Sequence, residues 1–339
     1  MARYSYGYGY YGDASCSEYA FQETGTRVDL AFAALYFLVS LGLFLVATAA
    51  FSRARRHLGR VSGSLWLTLS VFLAMGGHLT NIIYITLREC VITAPWNLWT
   101  AALAGNWLFA ASQYILVAVI MTTLCSKVQR DTSSSVMLAS IVNKVWVAVL
   151  GALIIAAMSI GTVQAHYTNS TDTRFDIVYE LYNPSRGVWT TYYALAVAGI
   201  LLAVATMGKT LGGASNALKM WVLVLSVCAL GHTVTNLGIY IENTYAVKTI
   251  ESYGEYKKYE RGNEAANFLS SFFYSVAFFA AVKIASHRGV AKNQPVAEYA
   301  PGYGYDNVHG QDHGQDYGQF QNRLGSGSGI EGGQGPVRY

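Results

Sequence analysis

His78, Asn81 and Tyr84 stand in one apolar stretch, GGHLTNIIYI from Gly76 to Ile85, and His232, Asn236 and Tyr240 stand in another, LGHTVTNLGIYI from Leu230 to Ile241. Imidazole, carboxamide and phenol hydrogen-bond small polar solutes, and an imidazole can also carry a proton or ligate a metal. A polar side chain left facing acyl chains without a partner costs on the order of a few kcal/mol, so these groups are expected to face a bundle interior, a wet cavity or one another. At about 100° per residue, His232, Asn236 and Tyr240 fall within a stripe of about 80° and His78, Asn81 and Tyr84 within about 120°. Each segment can therefore aim its set inward.

The elements that must position these groups are membrane helices. Apolar residues make up 53% of the 339 and charged residues 12%, a balance that leaves a soluble globule short of polar surface. Runs free of Asp, Glu, Lys and Arg, of the roughly 20 residues a helix needs to cross ~30 Å of hydrocarbon, are Leu30–Phe51, Val61–Leu87, Asn97–Leu124, Val145–Thr162, Val188–Gly208, Trp221–Ile241 and Ala265–Val282. They are too long, and too apolar on both parities, for the ~10-residue alternating strands of a membrane barrel. The expected fold is an all-α integral membrane bundle of seven transmembrane helices.

The distribution of Lys and Arg sets the expected orientation. Arg53, Arg55, Arg56 and Arg60 follow the first helix; Lys127 and Arg130, Lys209 and Lys219, and Lys283, Arg288 and Lys292 follow the third, fifth and seventh. These exits are expected to be cytoplasmic, with the amino terminus outside and the carboxyl terminus inside, in the plasma membrane or a membrane of the secretory pathway. The net charge of +4 is then a topology signal, and no nucleic-acid partner is implied. The first 27 residues lack the apolar core of a cleavable leader, so the first helix is expected to direct insertion. Cys16 and Cys90 fall on the outer, oxidising side and form a candidate disulfide, against the alternative of two unrelated thiols. The triplet Asn169-Ser170-Thr171 falls on the same side as a candidate glycosylation site. Cys125, at the inner end of the third helix, is a candidate for palmitoylation.

The ends differ in texture from the middle. YSYGYGYYG, from Tyr4, and YGYDNVHGQDHGQDYGQFQ, from Tyr303, are rich in Tyr, Gly and Gln, and such stretches bury too little apolar surface to offset their ordering entropy. Segments 1–27 and 286–339 are expected to be disordered tails, the second a candidate surface for cytoplasmic protein partners.

Between the tails an internal repeat is legible. Trp66 to His78 is echoed from Trp221 to His232, LFLVATAAFSR from Leu43 by ILLAVATMGKT from Ile200, and GNWLFAASQY from Gly105 by ANFLSSFFYS from Ala266; the offsets are 155, 157 and 161 residues. Two parallel three-helix units, 28–127 and 188–285, joined by a linker helix in 136–163, account for this, related by an axis along the membrane normal. That axis would bring the two His/Asn sets together. Asn106, Ser112, Gln113 and Tyr114, with Asn267, Ser270, Ser271 and Tyr274, would complete a cavity reachable from outside. The competing reading makes each polar group interhelical glue, worth ~0.6 kcal/mol on average, with Gly76, Gly77, Gly105 and Gly231 admitting close helix approach.

In helix count and parallel duplication the layout resembles the sugar carriers called SWEETs and their PQ-loop relatives; their Pro-Gln pair is absent from both copies here. The expected function is transport, by a carrier or channel, or sensing of a small polar or protonatable ligand through the interhelical cavity. A seven-helix receptor or lipid-handling protein, binding a ligand outside and signalling through the inner tail, is the main alternative. No cofactor is expected; a further alternative is a haem with neutral imidazoles at His78 and His232 as axial ligands. A structural organiser of a membrane patch would need no site. No intramembrane acid, zinc spacing or phosphate loop is present, so no enzyme is expected; GKTLGG, from Gly208, lacks the upstream glycine of a P-loop.

Overall fold

A computed structural model of the chain describes residues 16, 20–58, 63–90, 95–131, 137–169, 175–210, 215–246 and 253–287. Most of both expected tails lies outside these residues, as does the rest of the Asn169 triplet; Asn169 itself is the last residue of its helix. Among the described residues every regular element is a helix, and there are no strands. The elements are α1 (Thr24–Leu58), α2 (Ser64–Cys90), α3, α4 (Met137–Asn169), α5 (Phe175–Thr210), α6 and α7 (Tyr253–Ser286). Helix α3 runs through Pro95–Val119, a π turn at Ile120–Leu124 and Cys125–Asp131; α6 runs through Asn216–Ile241 into a π turn at Glu242–Ala246.

All seven are long and apolar enough to cross a membrane, as the uninterrupted runs require, because hydrocarbon forces each backbone polar group to be satisfied within its own helix. They fit an integral, multi-pass membrane protein. Large apolar side chains stay exposed on the outside, including Leu38, Leu65, Val145, Ile155 and Leu223, which is the surface acyl chains cover. The helices overrun the charge-free windows: α5 starts at Phe175 and carries Pro184 inside it, and α7 starts at Tyr253. A helix leaving the membrane keeps its own hydrogen bonds, so polar sequence need not end it.

Each helix packs against its chain neighbours, and α7 closes the ring against α1 and also touches α2. One end of the ring is marked by a disulfide between Cys16 and Cys90; α1 and α3 begin there and α2 ends there. Glu89 reinforces that end, accepting from Phe21 N at 3.4 Å and from Thr26 Oγ1 at 3.2 Å. The opposite half is a packed core: Leu67, Val71, Ile120, Met121, Leu124, Leu150, Ile200, Met207, Leu225, Phe278 and Ile284 are all fully buried.

Two devices set the helix spacing. A Cβ at Gly77 would lie 2.9 Å from the Phe109 ring, and one at Gly231 2.8 Å from the Phe273 ring, so α2–α3 and α6–α7 each close over a glycine that precedes a histidine. In the core, the π turn of α3 loosens the local backbone ladder, and buried Asn143 of α4 donates from Nδ2 to Met121 O at 2.7 Å. At the end away from the disulfide, Lys127 of α3 donates from Nζ to Ile284 O, Ala285 O and His287 O at 2.9, 2.7 and 2.9 Å. An ammonium with three donors thereby satisfies carbonyls that the end of α7 leaves open.

Candidate functional site

A cavity of about 880 Å³ occupies the disulfide half of the bundle, and all seven helices contribute to its wall. The reason is periodicity: in that half each helix turns small, aromatic or amide side chains inward, where in the other half it turns Leu, Ile, Met and Phe. From α1 come Asp29, Phe32 and Tyr36; from α2, His78 and Asn81; from α3, Trp99, Asn106, Phe109 and Gln113; from α4, Met158, Gly161 and Gln164. Helix α5 adds Trp189, Tyr192 and Tyr193, α6 adds Asn236, Tyr240 and Asn243, and α7 adds Glu264, Asn267, Phe268, Ser270 and Ser271.

Seven of the ten binding residues proposed from sequence therefore meet on this wall: His78, Asn81, Asn106, Gln113, Asn236, Tyr240 and Asn267. Three do not. Tyr84 turns towards Arg88, whose guanidinium carbon lies 5.8 Å from its ring centroid. Tyr274 lies below the cavity, fully packed, its hydroxyl 2.8 Å from Ser70 Oγ and 2.7 Å from Ser112 Oγ. His232 is buried behind the wall.

The two histidines thus have different surroundings, although their sequence contexts match. His78 sits on the cavity wall, stacked on Tyr36 with centroids 5.8 Å apart and edge-on to Phe109 at 4.8 Å. His232 has both ring nitrogens engaged: Nδ1 with Ser270 O at 3.0 Å and Ser270 Oγ at 3.1 Å, and Nε2 with Asn236 Nδ2 at 3.2 Å. Ser270 Oγ donates to Asn236 Oδ1 at 2.7 Å, and Asn236 Nδ2 also reaches Gln113 Oε1 at 3.4 Å. The chain His232–Ser270–Asn236–Gln113 couples α6, α7 and α3 and supplies the amide floor of the cavity. Of the two imidazoles considered as haem ligands, His232 has its Nε2 hydrogen-bonded to Asn236. Among the described residues no group of three or more His, Cys, Asp or Glu is placed to hold a metal ion.

Several wall residues were not marked by sequence reasoning. Tyr36 donates to Phe268 O at 2.8 Å and so ties α1 to α7 beside His78. Trp189 and Tyr193, also unmarked, form one aromatic face with the expected Tyr240, with centroids 5.5 Å (Trp189–Tyr193), 5.4 Å (Tyr193–Tyr240) and 6.3 Å (Trp189–Tyr240) apart. Asp29 and Glu264 immediately precede the charge-free runs Leu30–Phe51 and Ala265–Val282, outside the stretches that composition marks as membrane-spanning. An acid on the inward face of a helix that outlasts such a run was the available signal.

Cys125 is buried, its Sγ 3.8 Å from both Ala203 O and Thr206 Oγ1 of α5. Acylation of this thiol would require α3 and α5 to part. Comparison of the chain with protein families, characterised proteins and solved structures gives no match.

Proposed function

We propose that this protein is a membrane sensor that binds a small polar organic ligand in the cavity at its disulfide end. The observation that carries the reading is the asymmetry of the bundle: a cavity walled by amides and aromatic rings in one half, and fully buried Leu, Ile, Met and Phe in the other. A few convergent polar groups on an otherwise apolar and aromatic wall are the usual composition of a small-molecule site. A blind cavity over a packed core supports binding and signalling in preference to free passage.

The disulfide supports an orientation with the cavity towards the outside or a lumen, since such bonds persist in oxidising compartments; the Lys/Arg pattern points the same way. The paired glycine–phenylalanine seats, Gly77 with Phe109 and Gly231 with Phe273, support two related three-helix units. Through the Asn236–His232–Ser270 chain, a ligand held by the cavity amides would bear directly on α6–α7 packing. The inner tail is then the segment available to cytoplasmic partners.

The test is an Asn106→Cys variant in sealed proteoliposomes, where Cys125 and Cys228 are buried. A membrane-impermeant maleimide should label Cys-substituted protein only from the disulfide side, while a Leu150→Cys control stays unlabelled. Equal labelling of both positions, or of neither, would remove the wet cavity on which the reading stands. Solute uptake by the same vesicles would replace the sensor with a carrier.

A further inference from the structure

We propose that the ligand of this cavity is an uncharged molecule with a flat ring and an amide-type edge, an N–H donor fixed beside a carbonyl acceptor, as in a lactam, a ureide or an aromatic carboxamide. The proposal rests on the cavity being a ligand site and goes on to assign the chemistry it recognises. The first support is which wall groups the protein leaves open. Among the described residues, none forms a hydrogen bond with the side chains of His78, Asn81, Asn106 or Asn267, and all four line the cavity. They gather in one region. Asn81 follows His78 by one turn of α2, and His78 is edge-on to Phe109, one turn beyond Asn106 on α3. Tyr36, stacked on His78, donates to the carbonyl of Phe268, the residue after Asn267. Each carboxamide presents N–H donors beside a carbonyl acceptor, and a neutral imidazole presents one donor and one acceptor.

The charged groups near this space are already used within the protein. Asp29 and Glu264 of the wall are both engaged in interactions of their own. Arg186 lies with its guanidinium 5.2 and 4.0 Å from the ring centroids of Tyr182 and Tyr245, its carbonyl accepts from Tyr240 at 3.3 Å, and its charge acts on Tyr240. Fixed charges of both signs therefore stand near the wall, and neither sign of ligand is favoured. An ion would lose hydration to meet neutral amides, a larger cost than a neutral solute bears.

The second support is the aromatic face of Trp189, Tyr193 and Tyr240 on α5 and α6, which the ring order of the helices sets across the cavity from α2. A flat ring stacked on that face can turn an edge towards the open amides. Hydroxyls rotate to suit any partner, so a polyol has no special use for donors and acceptors fixed in pairs. A rigid amide edge does, because a carboxamide meets it in two parallel hydrogen bonds, as Asn and Gln meet the edge of adenine.

The experiment is thermal unfolding and titration calorimetry of the full chain in lipid nanodiscs. The probes are nicotinamide, its anionic analogue nicotinate, its cationic N-methylpyridinium analogue, uracil, its anionic analogue orotate, and glucose. The expected result is binding of at least one of the two neutral amides, with its charged analogues weaker by about tenfold or more. An Asn106→Leu/Asn267→Leu double variant should lose about tenfold in affinity for that amide. Should that variant not fold, the ratio of neutral to charged analogues on the unmodified protein decides alone. Charged analogues that bind as tightly as the neutral amide, or glucose binding without either amide, overturn the assignment while sparing the ligand cavity. No binding by any probe at millimolar concentration overturns it too, and with the maleimide result separates a wrong ligand class from a cavity that is not wet.

Discussion

His232 Nε2 accepts a hydrogen bond from Asn236 Nδ2 at 3.2 Å, one turn further along α6, and that pairing assigns the Nδ1–H tautomer, because Nδ1 then donates to Ser270 O at 3.0 Å. Asn236 is oriented in turn by Ser270 Oγ, which donates to its Oδ1 at 2.7 Å. Both ring nitrogens of the imidazole that sequence context paired with His78 are thus engaged within α6 and α7.

His232→Ala should therefore destabilise the bundle by about 1–3 kcal/mol, the range for leaving buried polar partners unmatched. His78→Ala removes ring contacts at a cavity wall and should cost less than about 1 kcal/mol. Thermal unfolding of the two variants side by side checks the contrast; equal losses would mean the histidines share one role.

Tyr274 joins α7 to Ser70 of α2 and Ser112 of α3 beneath the cavity. Tyr274→Phe keeps the ring and should cost about 1 kcal/mol, near the upper part of the range measured for interhelical hydrogen bonds in membranes. In a Ser70→Ala/Ser112→Ala background the same change should cost almost nothing. Additive losses in that cycle would show that the hydroxyl has no partner there.

Gly77→Ala and Gly231→Ala each push a methyl to within 3 Å of a phenylalanine ring, and overpacking of this kind costs about 1–3 kcal/mol. Phe109→Leu and Phe273→Leu, each in its own half, should restore part of the loss. Failure of both second-site changes to rescue would place the strain elsewhere.

Lys127→Met removes three donors from the last carbonyls of α7. Hydrogen exchange should accelerate over Val282–His287 and leave the cavity half of α7 unchanged, with Lys127→Arg intermediate, since guanidinium is planar and cannot point three donors at one clustered set. Unchanged exchange in the methionine variant would argue that lipid or water holds that end equally well.

Seven crossings were legible because hydrocarbon imposes a length and a composition that a single chain must carry in one dimension. Leu30–Phe51 or Ala265–Val282 can hardly be read otherwise. The inward aim of Asn81, Asn106, Asn236 and Asn267 was legible for a related reason: an amide at that depth needs a partner, and helical period limits where it can point. Tyr84 escaped because it lies near the end of α2, where Arg88 and the membrane surface offer it another setting.

What the linear pattern could not separate was His78 from His232, which share neighbours in sequence and differ only in what faces them. One meets the open cavity beside Tyr36, the other a serine and an asparagine on α6 and α7. The carboxylates of Asp29 and Glu264, the Trp189–Tyr193–Tyr240 face and the burial of Cys125 were likewise settled by which helices lie side by side. Hydrophobic period tells each helix which face to hide. The neighbour that covers that face is chosen by packing among all seven, and this is why the sequence determined the crossings and the polar stripes while the tertiary structure alone decided which of those groups meet around a common space.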